Sequence, residues 1–209
     1  RFYPAVAQRL QPLVLFNDRA PRPGEVDGIA YHFRPRADIE QLQGQPGFVV
    51  LPVRRDLQAL EIAQVLRALA AGTISPLEGN AYIAEALLSA MELSQVPKLS
   101  LFLSPLSHEE IVTLRAQPGL DLAVVVADVM REKLRRRTLK HKGTLSDQDL
   151  QDIEARCGAA YRELQYAPRF DWVLPNHDGE DSDNWTIAGH PLGEARRSLL
   201  DFVAILQGQ

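Results

Sequence analysis

The 209-residue chain predicts an α/β fold with parallel strands, and three observations carry that prediction. Leu99-Ser-Leu-Phe-Leu103 is a short apolar run that leads directly into Ser107 and Glu110, spaced as a capping box for the next helix. Phe170-Asp-Trp-Val-Leu174, stopped by Pro175, repeats the apolar run after a second helical stretch. Before and between them, strand-like and helix-like segments alternate, the order that yields a parallel sheet with crossover helices.

Each element has its own warrant. Leu13-Val-Leu-Phe16 suits a buried strand, and Ala37–Leu42 reads as a short helix. Phe48-Val-Val-Leu51, closed by Pro52, reads as a strand. From Leu57 to Ala71, apolar residues at 57, 60, 62, 65, 66 and 69 form a helical stripe that ends at Gly72. Tyr82–Leu93 is another such stripe. A basic run extends from Arg131 to Lys142, followed by Gly143. Ser146 with Asp149 then marks a helix start, and Ile153, Cys157, Ala160 and Leu164 would share that helix's buried face. A closing helix is expected near Gly193–Leu206.

Bulk composition narrows the class. Apolar residues at 45% and charged residues at 24% describe an ordinary globular chain of one domain's size. A net charge of −4 argues against broad nucleic-acid or membrane binding, and no apolar run reaches membrane-span length. The one cysteine, Cys157, cannot close an internal disulfide, which fits the reducing cytoplasm. No signal peptide is visible.

The functional signal is concentrated in Asp18-Arg19-Ala-Pro-Arg22-Pro-Gly-Glu25-Val-Asp-Gly28-Ile-Ala-Tyr31. Two guanidinium forks and a phenol, gathered on a turn-rich loop, are natural donors for a phosphate. This stretch resembles the monophosphate-binding loop of the guanylate kinases, Thr-Arg-x-Pro-Arg-x-Gly-Glu-Val-x-Gly-x-x-Tyr. The likeness continues in Ser104-Pro-Leu-Ser107-His-Glu-Glu110, in Ile153–Leu164, and in Phe170–Asn176.

The resemblance implies a P-loop-type three-layer α/β/α fold whose P-loop strand is absent from this sequence. It implies a single domain over 1–209, with a monophosphate subdomain at 16–56 and a lid at 119–150. Arg19, Arg22 and Tyr31 would hold the acceptor phosphate. Arg135, Arg137 and Arg156 would meet transition-state charge, with Arg156 pointing inward beside Ile153. Glu78 would be the base or metal contact and Asn176 an adenine-side contact. ATP and Mg2+ would be cofactors, and the activity would be transfer of the ATP γ-phosphate to GMP or a related nucleoside monophosphate.

The chain departs from the family in ways that bear on each expectation. It holds no Gly-x-x-x-x-Gly-Lys-Ser/Thr run, so its ATP loop is expected upstream of Arg1. The family's guanine-reading serine and glutamate correspond to Leu15 and Val50, neither of which can hydrogen-bond a base. The segment that supplies a second phosphate-facing tyrosine is replaced by Arg54-Arg-Asp-Leu-Gln58, and an aspartate-bearing passage survives as Leu77-Glu-Gly-Asn80. The rival expectation is a non-catalytic binding or scaffold module that recognises a phosphorylated ligand or partner with the same arginines. No metal site is expected: His108-Glu-Glu lacks a second histidine, and His177–Asn184 lacks a calcium loop's glycine and closing glutamate, so it reads as an exposed acidic loop that Trp185 packs down. Cys157 reads as a core residue.

Overall fold

The computed structural model describes every residue except Arg1, Pro23, Arg54, Arg55, Asn80, Ala188 and Gln209. The chain divides into two compact units, Tyr3–Leu99 and Ser100–Gln209.

The first unit contains helix α1 (Pro4–Ala7), strands β1 (Phe16–Asn17) and β2 (His32–Phe33), and helix α2 (Arg36–Glu40). Strands β3 (Phe48–Val53) and β4 (Asp56–Glu61) follow, then helices α3 (Ile62–Ala70) and α4 (Ala81–Ser89). The strands form one sheet in the order β2-β1-β4-β3. β1 runs parallel to β2, while β4 is antiparallel to both β1 and β3. This sheet is therefore mixed, where the sequence predicted parallel pairing. A hairpin as tight as β3–β4 joins its strands antiparallel, because a parallel return needs a long crossover.

The same hairpin corrects the helix expected from Leu57. Residues 56–61 are strand, and helix begins only at Ile62. Leu57 and Ala59 are buried on one sheet face and Leu60 on the other, so a strand covered on both sides imitates a helical stripe.

Register assigns the two faces. Phe16 pairs with His32 and Ala59, and Ala59 with Val50. Phe16, Ala59 and Val50 form the cluster beneath α2 with Leu57, Ile39 and Leu42. Asn17 pairs with Phe33 and Gln58 on the opposite face, where Leu15, Val49, Leu51 and Leu60 pack against Ile83 and Leu87 of α4. Each such apolar side chain contributes about 1.5–3 kcal/mol on burial.

The second unit contains β5 (Leu101–Ser104), α5 (His108–Arg115), α6 (Leu122–Lys142), α7 (Asp147–Leu164), β6 (Trp172–Pro175) and α8 (Gly193–Gln207). β5 and β6 pair in parallel, from Leu101 opposite Trp172 to Ser104 opposite Pro175. α5 starts at the expected capping box: Glu110 N–H donates to Ser107 Oγ at 3.2 Å, and Ser107 N–H to Glu110 Oε2 at 2.6 Å. α7 starts at a second one, made by Ser146 and Asp149. α6 ends at Gly143, whose φ of 76° is the left-handed conformation that glycine adopts without strain.

α6 and α7 pack along two apolar clusters. One joins Leu122 and Val126 to Ala160 and Leu164; the other joins Leu134 to Ile153 and Cys157. The predicted face of α7 is buried at all four positions. Arg156 departs from expectation. It is exposed, because the helical turn that buries Ile153 and Cys157 carries residue 156 round to the solvent side.

Candidate functional site

Arg19 extends from the end of β1 into the loop that leads to β2. Its guanidinium meets Glu25 end-on: Nη1 donates to Oε2 at 2.7 Å and Nη2 to Oε1 at 2.6 Å. Nη1 also donates to Ala20 O at 3.0 Å. The guanidinium carbon lies 5.1 Å from the Tyr31 ring centroid and 5.5 Å from that of Phe33, within cation–π range of both. The Arg19 side chain retains 14% exposure and that of Glu25 21%.

Glu25 does more than balance a charge. Its Oε2 also accepts the Arg22 backbone N–H at 2.7 Å, so one carboxylate folds the 19–25 segment back on itself. The Arg19 fork and the Arg22 N–H together hold the Glu25 carboxyl down to about 2, and the same contact raises Arg19 above its ordinary value. Gly24, at φ 87°, supplies a turn that residues with a Cβ adopt only with strain. Further along, Asp27 accepts the Phe33 N–H at 2.7 Å and pairs with Arg34.

Arg22 is exposed, and among the described residues no carboxylate pairs with its guanidinium. The Tyr31 hydroxyl is likewise without a hydrogen-bond partner among the described residues, while its ring packs against the Leu15–Leu60 cluster. Arg19, Arg22 and Tyr31 are thus gathered on one loop, as expected. Sequence reasoning missed Glu25 and Phe33 as the parts that hold Arg19. The available signal was the Gly-Glu following Arg22, an acid placed to reach back across a tight turn.

The loop is anchored at Asp18. Its Oδ1 accepts the Leu57 N–H at 2.8 Å, and its Oδ2 accepts Arg36 Nη1 at 2.8 Å. Asn17 is wholly buried beside it, with Oδ1 accepting the Arg19 N–H at 3.1 Å and Nδ2 without a partner among the described residues. Val50 lies on the α2 face of the sheet, opposite Arg19. The β3 residues on the Arg19 face are Val49, Leu51 and Val53, so this strand offers that face no hydrogen-bonding side chain either. Glu78 is exposed ahead of α4, while Arg54, Arg55 and Asn80 lie outside the described residues.

The remaining site residues belong to the second unit. There the basic run and the acidic loop turn out to be each other's partners. Lys133 donates to Asn176 O at 2.7 Å, and Arg136 Nε donates to Asp181 Oδ2 at 2.7 Å. Arg137 pairs with Glu180 and Lys140 with Asp183, both at 2.5 Å. Positions 133, 136, 137 and 140 share one face of α6, so the helix presents a ladder of cations to residues 176–183. Burial, and then the neighbouring Arg136, lower the Lys133 pKa.

Asp178 closes the loop from within, accepting from Ser182 Oγ, Asn184 Nδ2 and the Ala195 N–H at the start of α8. Trp185 Nε1 donates to Gly179 O at 2.6 Å. The expected exposed loop is therefore an anchored one. Arg135 is exposed on α6. Asn176 directs its Oδ1 to the Gly179 N–H at 3.0 Å.

No protein-family model and no curated protein matches this chain. Among solved structures it is similar to a guanylate kinase from Anaplasma phagocytophilum, with a TM-score of 0.59 and 17% sequence identity. The match covers 98% of this chain and 78% of the other. The chain thus adopts a mixed α/β fold, and in particular a guanylate kinase-like one.

Proposed function

We propose that the Arg19–Tyr31 loop binds the phosphate of a nucleoside monophosphate or similar acceptor, as the acceptor half of a guanylate-kinase-like phosphotransferase. The observation that carries this reading is Arg19 itself, immobilised by Glu25, Tyr31 and Phe33 yet retaining N–H donors, beside the exposed Arg22. Holding a fork in place before the ligand arrives lowers the ordering cost of binding. Each charge-assisted bond to a phosphate oxygen contributes about 1.5–3 kcal/mol, so Arg19→Ala or Arg22→Ala should weaken binding at least about tenfold.

In this reading Arg135, Arg137 and Arg156 neutralise charge during transfer, Asn176 borders the donor's adenine, Glu78 contacts base or metal, and residues 119–150 form a lid. The residues present do not fit ATP and Mg2+ themselves. The sequence has no P-loop, and among the described residues no three metal-ligating side chains are grouped to hold an ion.

A second reading, a phosphate-recognising binding module without catalysis, is favoured by the apolar Leu15 and Leu51 on the sheet face that bears Arg19. Calorimetric titration with GMP, AMP, dGMP and UMP tests the shared claim, and absence of heat with all of them would remove it. Phosphate transfer from ATP by the full-length protein separates the two readings. Turnover establishes the kinase, and binding without turnover establishes the module.

A further inference from the structure

We infer that Glu25 is a positioning residue that occupies the end of the Arg19 fork, so that an incoming phosphate must dock on its side edge, Nε–H together with the outer Nη2–H. The inference rests on the phosphate-binding reading of this loop and adds the direction of approach and the residue that sets it.

A guanidinium carries five N–H donors in one plane. Glu25 faces Nη1 and Nη2 with one oxygen each, at 2.7 and 2.6 Å, which uses the two inner hydrogens. Ala20 O, at 3.0 Å from Nη1, takes that nitrogen's outer hydrogen. Two donors remain, Nε–H and the outer Nη2–H, and neither has a partner among the described residues. They are parallel and lie along one edge of the plane, the geometry of a second bidentate contact. The rings of Tyr31 and Phe33, 5.1 and 5.5 Å from the guanidinium carbon, restrict rotation of that plane.

The same carboxylate also anchors the backbone at Arg22 through its N–H at 2.7 Å, while the Arg22 guanidinium stays exposed. Removing the Glu25 carboxylate would release the Arg19 fork and this backbone anchor at once. Its charge also opposes an incoming anion, so positioning and repulsion predict opposite outcomes for its neutralisation. Glu25→Gln keeps the size and loses the charge and the fork. If Glu25 positions Arg19, this variant binds phosphate more weakly; if it merely repels anions, the variant binds more tightly.

The test titrates inorganic phosphate into the 15N-labelled protein and follows the Arg19 Nε–H resonance. In the native protein that resonance should move with saturation. In Glu25→Gln the affinity should fall about tenfold, as expected for the loss of an oriented charge-assisted contact, and the Nε–H response should shrink with it. Arg19→Lys, which leaves Glu25 in place and keeps the charge but has no side edge, should lose a comparable factor. Circular dichroism confirms that each variant is folded. Equal or tighter binding by folded Glu25→Gln, or native-like binding by Arg19→Lys, overturns the inference while the loop remains a phosphate site. A native protein that does not respond to phosphate overturns the site reading, and the inference with it.

Discussion

Ser100 and Asp171 clasp one another at the points where β5 and β6 begin. Asp171 Oδ2 accepts both the Ser100 N–H at 2.8 Å and the Ser100 hydroxyl at 2.7 Å. The same Ser100 oxygen accepts the Asp171 N–H at 2.9 Å. This reciprocal contact fixes the register of a two-stranded parallel pair, an arrangement with few ladder bonds to specify it otherwise.

Ser100→Ala removes two of those bonds and should lower unfolding free energy by about 1–2 kcal/mol, read by chemical denaturation. The Ser100 side chain, then its backbone N–H, hold the Asp171 carboxyl below its ordinary value of 3.8. Its contribution is accordingly complete above that value and declines as pH falls below it. The difference between native and Ser100→Ala proteins should therefore narrow in acid. A constant difference down to the lowest accessible pH would refute this assignment.

The Arg136–Asp181 pair is the firmest rung of the α6 ladder, since the Asp181 side chain is only 2% exposed. Arg136→Met strands that carboxylate and should cost about 2 kcal/mol, short of a fully buried pair because the arginine is half exposed. Arg137→Met, which breaks a pair exposed on both sides, should cost less than about 0.5 kcal/mol. Thermal unfolding of the two variants side by side checks the ranking.

Glu25 should titrate near 2 in the native protein, followed through its side-chain carboxyl carbon by NMR. Because that value is depressed from 4.5, the Glu25 contribution to loop order is complete above 4.5 and is lost as pH falls through about 2. In Arg19→Ala the midpoint should return toward 4.5, the Arg19 hydrogen bond being the largest cause of the depression.

Cys157 lies in the α6–α7 core with 2% exposure, and burial pushes its thiol up from 9.0. Under native conditions at pH 8 it should react with a disulfide reagent far more slowly than a free thiol, and at the full rate once denaturant unfolds the unit. Rapid labelling of the native protein would contradict its burial.

What was legible in the sequence was local chemistry. Ser107 with Glu110 and Ser146 with Asp149 announce helix starts because a capping box needs only neighbouring residues. The buried face of α7 was readable because a helix in contact with one partner keeps a clean apolar spacing. Leu57–Glu61 was misread because β4 is covered on both faces, and its alternation disappears once both sides are apolar. Arg19, Arg22 and Tyr31 stood out as donors on a turn. Glu25 did not, because its role depends on a carboxylate closing back over the turn, which spacing alone does not reveal. The pairing of α6 with residues 176–183 was hidden by the separation of more than forty positions between Arg136 and Asp181.

The α6 ladder gives this molecule a graded response to ionic strength. Its outer rungs, Arg137–Glu180 and Lys140–Asp183, are open to counterions, while Asp181 is shielded from them. As salt shortens the screening length towards about 3 Å at 1 M, the outer rungs weaken first. The segment then keeps the Arg136–Asp181 attachment, the Asp178 bonds to Ser182, Asn184 and Ala195, and the Trp185–Gly179 bond. Brine therefore loosens the outer edge of the segment first, while its inner fastenings hold.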